Sequence, residues 1–139
     1  MKTIKIEHIG IAVKSIADSL DFWENTLNVK CNGIEEITGQ EIKTAFLPVE
    51  GCAVELLEGT SSESPLSQFV ERRGEGIHHI SLEVENLDDA LVELKEKGVG
   101  LIDDTPRYGA YGTKIAFLHP SATGGVLMEL TEKCGQMAC

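Results

Sequence analysis

The chain writes one phrase twice. Glu7-His8-Ile9-Gly10-Ile11-Ala12-Val13 returns as Ile77-His78-His79-Ile80-Ser81-Leu82-Glu83-Val84, with His79 standing 71 residues after His8. Lys43-Thr44-Ala45-Phe46-Leu47 returns as Lys114-Ile115-Ala116-Phe117-Leu118 at the same offset. The last apolar run, Val126 to Leu130, copies Ala53 to Leu56 at an offset of 74, the difference being the longer turn Pro120 to Gly125. A repeat of this length is one supersecondary unit used twice, neither copy large enough to bury its own apolar face. That constrains the fold more than any composition figure.

Within each copy the same elements follow. Residues 4–13 and 77–84 read as strands. Ser15 and Asn86 are helix caps, with Asp18 and Asp89 in the first turns. Ile16, Leu20, Trp23 and Leu27 fall at helical spacing in copy one, and Leu87, Ala90, Leu91 and Leu94 in copy two, where Gly98 closes the helix. A short strand or irregular segment is expected near 29–37, and further strands at 42–49 and 52–57. Their counterparts are 99–102, 114–119 and 126–130, with 106–112 a loop. A short helix is expected over 67–73. The expected architecture is α+β: two tandem βαβββ modules forming a curved eight-stranded mixed sheet around a cleft. The 139 residues make a single domain, with module one at about 4–58, a linker at 59–75, module two at about 76–132 and a tail at 133–139.

A net charge of -11 argues against nucleic acid, which selects basic surfaces. No window resembles a membrane span or a signal peptide, so a cytoplasmic location is expected. Cys31, Cys52, Cys134 and Cys139 lack metal or redox spacing and are expected to be free thiols.

The repeat also pairs polar residues that lie inside apolar strands. His8 matches His79, and Glu55 matches Glu129. A half-buried strand must show something polar on one face, so any one of these alone means little. The same residue types at both duplicated positions mean more. Two imidazoles and two carboxylates suit one divalent ion, and Co, Ni, Zn and Mn all accept such donors. His78, one residue from His79, points to the other face of its strand. His119 precedes Pro120 at a strand end.

The ordered set of Glu7 to Val13, Gly76-Ile77-His78-His79-Ile80, Phe117-Leu118-His119-Pro120 and Gly125 to Leu130 resembles the vicinal oxygen chelate superfamily, and within it the methylmalonyl-CoA epimerases. The resemblance runs from residue 4 to about 132. It implies one divalent ion held by His8, Glu55, His79 and Glu129, an acyl-CoA substrate, and a homodimer. It implies epimerisation at C2 through an enolate, with Glu129 as an acid–base group as well as a ligand. Some relatives carry a further glutamate on the third strand; here that place falls near Thr44, where no glutamate stands. Thr44 and Lys114 are the expected substrate contacts. Arg72, Arg73, Arg107 and Lys43 are further cations available to a CoA tail. Two other functions fit the same scaffold. Bacterial forms of glyoxalase I use the same His, Glu, His, Glu set, although the turn before the last strand more often reads Asp-Pro-Asp-Gly in glyoxalases. A metal-free binding protein has no use for four ligands.

Overall fold

The computed structural model describes residues 1–37 and 39–134, and its framework is eight strands and three helices. The strands are β1 (Thr3–Ala12), β2 (Ile34–Ile37), β3 (Ile42–Val49), β4 (Cys52–Gly59), β5 (Gly76–Val84), β6 (Arg107–Tyr108), β7 (Thr113–Leu118) and β8 (Met128–Lys133). The helices are α1 (Ile16–Asp21), α2 (Pro65–Arg73) and α3 (Leu87–Glu96). The sheet is mixed and ordered β2-β3-β4-β1-β5-β8-β7-β6. β1 pairs with β4 in parallel, as β5 does with β8, and the hairpins β3–β4 and β7–β8 are antiparallel. The α+β duplication expected from the repeat is the one observed.

Residues 8–78 form one compact unit. Ser15 caps α1 by accepting from Asp18 N at 3.1 Å. The helix buries Ile16 against Val13, Ala45, Leu47 and Leu56. Leu27 is expected on that face but is exposed. The reason is a π turn over Phe22–Thr26, in which Leu27 N bonds Phe22 O and Val29 N bonds Trp23 O. The wider i→i+5 turn slips the helical phase. Trp23 still reaches the core, and Val29 joins it there. Asn28, at φ 59°, then ends the helix.

α2 begins at Pro65, two residues before its expected start. Ser64 accepts from Leu66 N at 3.3 Å, and proline suits the first helical position, where no N–H is needed. Leu66 and Val70 pack on Ala12 and Leu57. Leu57 alternates with Leu56, so α1 and α2 cover opposite faces of β4.

Residues 1–7 and 79–134 belong to the second unit. Asn86 accepts from Asp89 N at 3.0 Å and caps α3. Leu87, Ala90, Leu91 and Leu94 pack on Val84, Ala116, Leu118 and Leu130. Each such leucine contributes about 1.5–3 kcal/mol by burial. The strand expected at 99–102 does not form. Val99 and Leu101 pack on the core cluster, and Leu101 makes one isolated bridge to Leu118. The edge strand is Arg107–Tyr108 instead, inside the expected loop. Burial of Val99 and Leu101 makes this segment look like a strand in sequence, but ladder pairing goes to the residues beyond Pro106.

Cys31 and Cys52 are free, as expected. Cys134 is disulfide-bonded, which corrects the expectation of a free thiol there. A disulfide needs only two sulfurs within reach, and spacing in sequence does not report that. Cys139 lies outside the described residues.

Candidate metal centre

β1 and β4 carry the first pair. His8 and Glu55 are 5% and 6% exposed. His8 Nδ1 lies 3.0 Å from Glu55 Oε2. Parallel pairing sets Gly10 opposite Glu55, which brings His8 and Glu55 to neighbouring strands. Glu55 in turn stands opposite Phe46 on β3. Paired residues of an antiparallel ladder share a face, so Thr44, opposite Leu57, lies on the face of Glu55. Thr44 is buried, and its hydroxyl donates to Glu35 O at 3.4 Å.

β5 and β8 carry the second pair. His79 and Glu129 are 5% and 4% exposed, with His79 Nε2 3.7 Å from Glu129 Oε2. Here the carboxylate has a further partner. Thr131 Oγ1 donates to Glu129 Oε1 at 2.8 Å and lies 2.6 Å from Ser81 Oγ. Both hydroxyls are buried. The repeat offers no warning of them, since their counterparts are Gly10 and Leu57. The available signal is the period of two: Ser81 follows His79 by two residues, and Thr131 follows Glu129 by two.

An aromatic wall stands beside this pair. Phe117 meets the His79 ring edge-on, with centroids 5.6 Å apart, and Arg107 lies over the Phe117 ring at 5.2 Å. Asp103 organises both, accepting from Phe117 N at 2.8 Å and lying 3.5 Å from Arg107 Nε. Of the cations available from the sequence, Arg107 is the one placed next to His79 through this stack.

Lys114 is placed elsewhere. Its Nζ lies 2.9 Å from Asp88 and 3.8 Å from Glu132, and the Asp88 bond raises its pKa above the usual lysine value. Alternation along β7 sets it on the face of Ala116, under α3, opposite to Phe117. Lys43 sits likewise, 3.7 Å from Glu58. Arg73 stacks on Phe69, and Arg72 lies near Gln68 within α2. His78 packs its ring on Phe69 at 5.0 Å; burial, then the Arg73 charge, lowers its pKa. It is turned to Phe69 of α2. His119 Nδ1 accepts from Ser121 N at 3.1 Å and so caps the turn Pro120–Thr123.

Among the described residues, Glu7, His8, Glu55, His79 and Glu129 are the buried side chains that could hold a metal ion. The repeat does not mark Glu7, whose counterpart in the second copy is His78. It is buried and lies 3.5 Å from Lys133. A buried carboxylate is costly without a cation or donors. Imidazole and carboxylate together are the donors a borderline divalent ion takes, so the residues fit such an ion.

A family model described as Glyoxalase/Bleomycin resistance protein/Dioxygenase superfamily matches residues 7–117. The chain belongs to that superfamily. The mitochondrial methylmalonyl-CoA epimerase of Dictyostelium discoideum is 35% identical, over 93% of this chain and 78% of that protein. A hypothetical protein from Bacillus halodurans C-125 is 46% identical in its crystal structure, with a TM-score of 0.92 over 97% of this chain and 98% of the other. A methylmalonyl-CoA epimerase variant of Streptomyces coelicolor, solved with 2-nitronate-propionyl-CoA, is 31% identical. Its TM-score is 0.90 over 96% of this chain and all (100%) of that one. This vicinal oxygen chelate chain thus shares its fold with an epimerase, and its His/Glu pairs sit on the first and last strands of each module. No helix among the described residues is long and apolar enough to cross a membrane.

Proposed function

We propose that the protein is a divalent-metal-dependent methylmalonyl-CoA epimerase that interconverts the (2R) and (2S) forms. The carrying observation is the duplicated buried pair, His8 with Glu55 and His79 with Glu129, on a chain similar along its length to epimerases. These four side chains are the ligands we assign.

A bound divalent ion supplies electrophilic stabilisation for the negative charge that develops on the thioester oxygen when C2 loses its proton. The residues do the rest. The four side chains fix where that charge develops, and their burial keeps water from competing for it. Glu129 is the group we assign to exchange the C2 proton, because its carboxylate is the one with two kinds of partner, a hydroxyl on Oε1 and an imidazole near Oε2. Thr44, on the face of Glu55, is assigned a contact with the substrate. The third-strand position expected from the resemblance holds no carboxylate, so no second proton carrier is assigned there. Arg107 presents a cation beside the aromatic wall for an anionic group of the substrate, against a chain whose net charge is -11. The reading includes a cytoplasmic homodimer, the dimer resting on the resemblance alone.

The test is deuterium incorporation at C2 of methylmalonyl-CoA by cobalt-loaded protein, beside a hemithioacetal assay. Exchange with racemisation is expected in the first and none in the second. Activity in the second assay alone would move the protein to glyoxalase I.

A further inference from the structure

The two halves hold their carboxylates differently, and the difference lies in hydroxyls. Thr131 has one hydroxyl proton, and an ionised carboxylate can only accept. That proton goes to Glu129 Oε1 at 2.8 Å. Ser81, 2.6 Å from Thr131 Oγ1, must then donate to it. The direction of the relay is fixed: Ser81 to Thr131 to Glu129. Both hydroxyls are buried, Ser81 at 0% and Thr131 at 1% exposure, so water does not replace either donor. β5 and β8 set the geometry, since Ser81 pairs with Glu129 and Thr131 follows two residues on. In the first half the same places hold Gly10 and Leu57, which have no hydroxyl.

We propose that Ser81 and Thr131 are positioning residues that commit Oε1 of Glu129 and so present Oε2, the oxygen nearer His79, to the ion and the substrate. This rests on the epimerase reading for its kinetic part only. A held carboxylate loses less freedom on ligation, as partners behind a ligand generally ensure, and their loss typically costs about 10–100-fold in affinity or activity.

Two measurements test it. The first is calorimetric titration of the metal-stripped protein with Co2+ alone, without substrate. Thr131→Val, similar in size, is expected to weaken the Co2+ dissociation constant by about 10–100-fold. Thr131→Ser should return it to within about threefold of the parent, and Ser81→Ala should move it part of the way. The second is steady-state epimerisation at saturating Co2+, where Thr131→Val should lower kcat at least about tenfold with KM little changed. A Thr131→Val protein with parental Co2+ affinity and kcat, altered only in melting temperature, would reduce the pair to core packing and overturn the proposal. Should that variant not fold, Ser81→Ala decides, parental affinity and kcat again counting against. Failure of the epimerase assignment shows as absent turnover in the parent and leaves the titration standing.

Discussion

At the scale of single residues, Glu55 and Glu129 are duplicates held by different partners. Glu55 faces the His8 imidazole at 3.0 Å, whereas Glu129 lies farther from its histidine, at 3.7 Å, and takes a hydroxyl bond instead. Replacing a carboxylate by its amide keeps the shape and removes the charge. Glu55→Gln is therefore expected to weaken metal affinity by about tenfold while leaving most of the turnover at saturating metal. Glu129→Gln is expected to cost about 10²–10⁴-fold in kcat, the usual value of a general acid–base group. Equal losses from the two, measured as kcat at saturating Co2+, would return them to equivalent ligands. This difference is not legible in the repeat, which marks what the copies share. His8, His79, Glu55 and Glu129 stand out because both copies kept them. Ser81 and Thr131 escape notice because only one copy has them, and serine and threonine are unremarkable in strands.

At the scale of elements, the strands that carry the carboxylates also start the helices. Glu58 accepts from Ile16 N at 2.7 Å, and Glu132 accepts from Leu87 N at 2.8 Å. Each caps the first turn of its helix from the neighbouring strand and places negative charge at a helix N-terminus. Lys43 and Lys114 neutralise these glutamates from the strands beside them. Lys114→Met is thus expected to cost stability, about 0.5–1 kcal/mol by denaturant unfolding, and to leave kcat/KM within about twofold. A large rise in KM with unchanged stability would make Lys114 a substrate contact after all. Glu132→Ala should cost more, about 1–2 kcal/mol, because a backbone N–H loses its acceptor. Caps at Ser15 and Asn86 are readable in the sequence because capping is local. Glu132 acts on Leu87 from 45 residues away, and only the fold brings the two together. The π turn at Phe22–Thr26 is hidden for a different reason. The apolar spacing runs on through Leu27 as if the helix continued, and the backbone departs from it.

At the scale of the whole molecule, the chain gathers buried carboxylates against an excess of negative charge, 23 acidic residues to 12 basic. Self-repulsion opposes the compact state, and a divalent cation bound only by the folded chain relieves it where the carboxylates are buried. Binding of that kind stabilises by mass action, about 4 kcal/mol when free ion exceeds its dissociation constant a thousandfold. For a chain of this length that is a melting shift on the order of ten degrees. Stripping the protein with a chelator is therefore expected to lower its melting temperature by about that amount and to abolish turnover, and Co2+ is expected to restore both. The increment has a predictable pH dependence. Imidazole binds an ion as the neutral ring and carboxylates bind as anions, so protons compete with the metal. The gap between loaded and stripped protein should narrow as pH falls. Melting curves with and without chelator, taken from pH 8 down to pH 5, measure that gap directly. Curves that coincide at every pH, with turnover unaffected by the chelator, would detach the four duplicated side chains from any ion and leave them a buried His/Glu pair in each half.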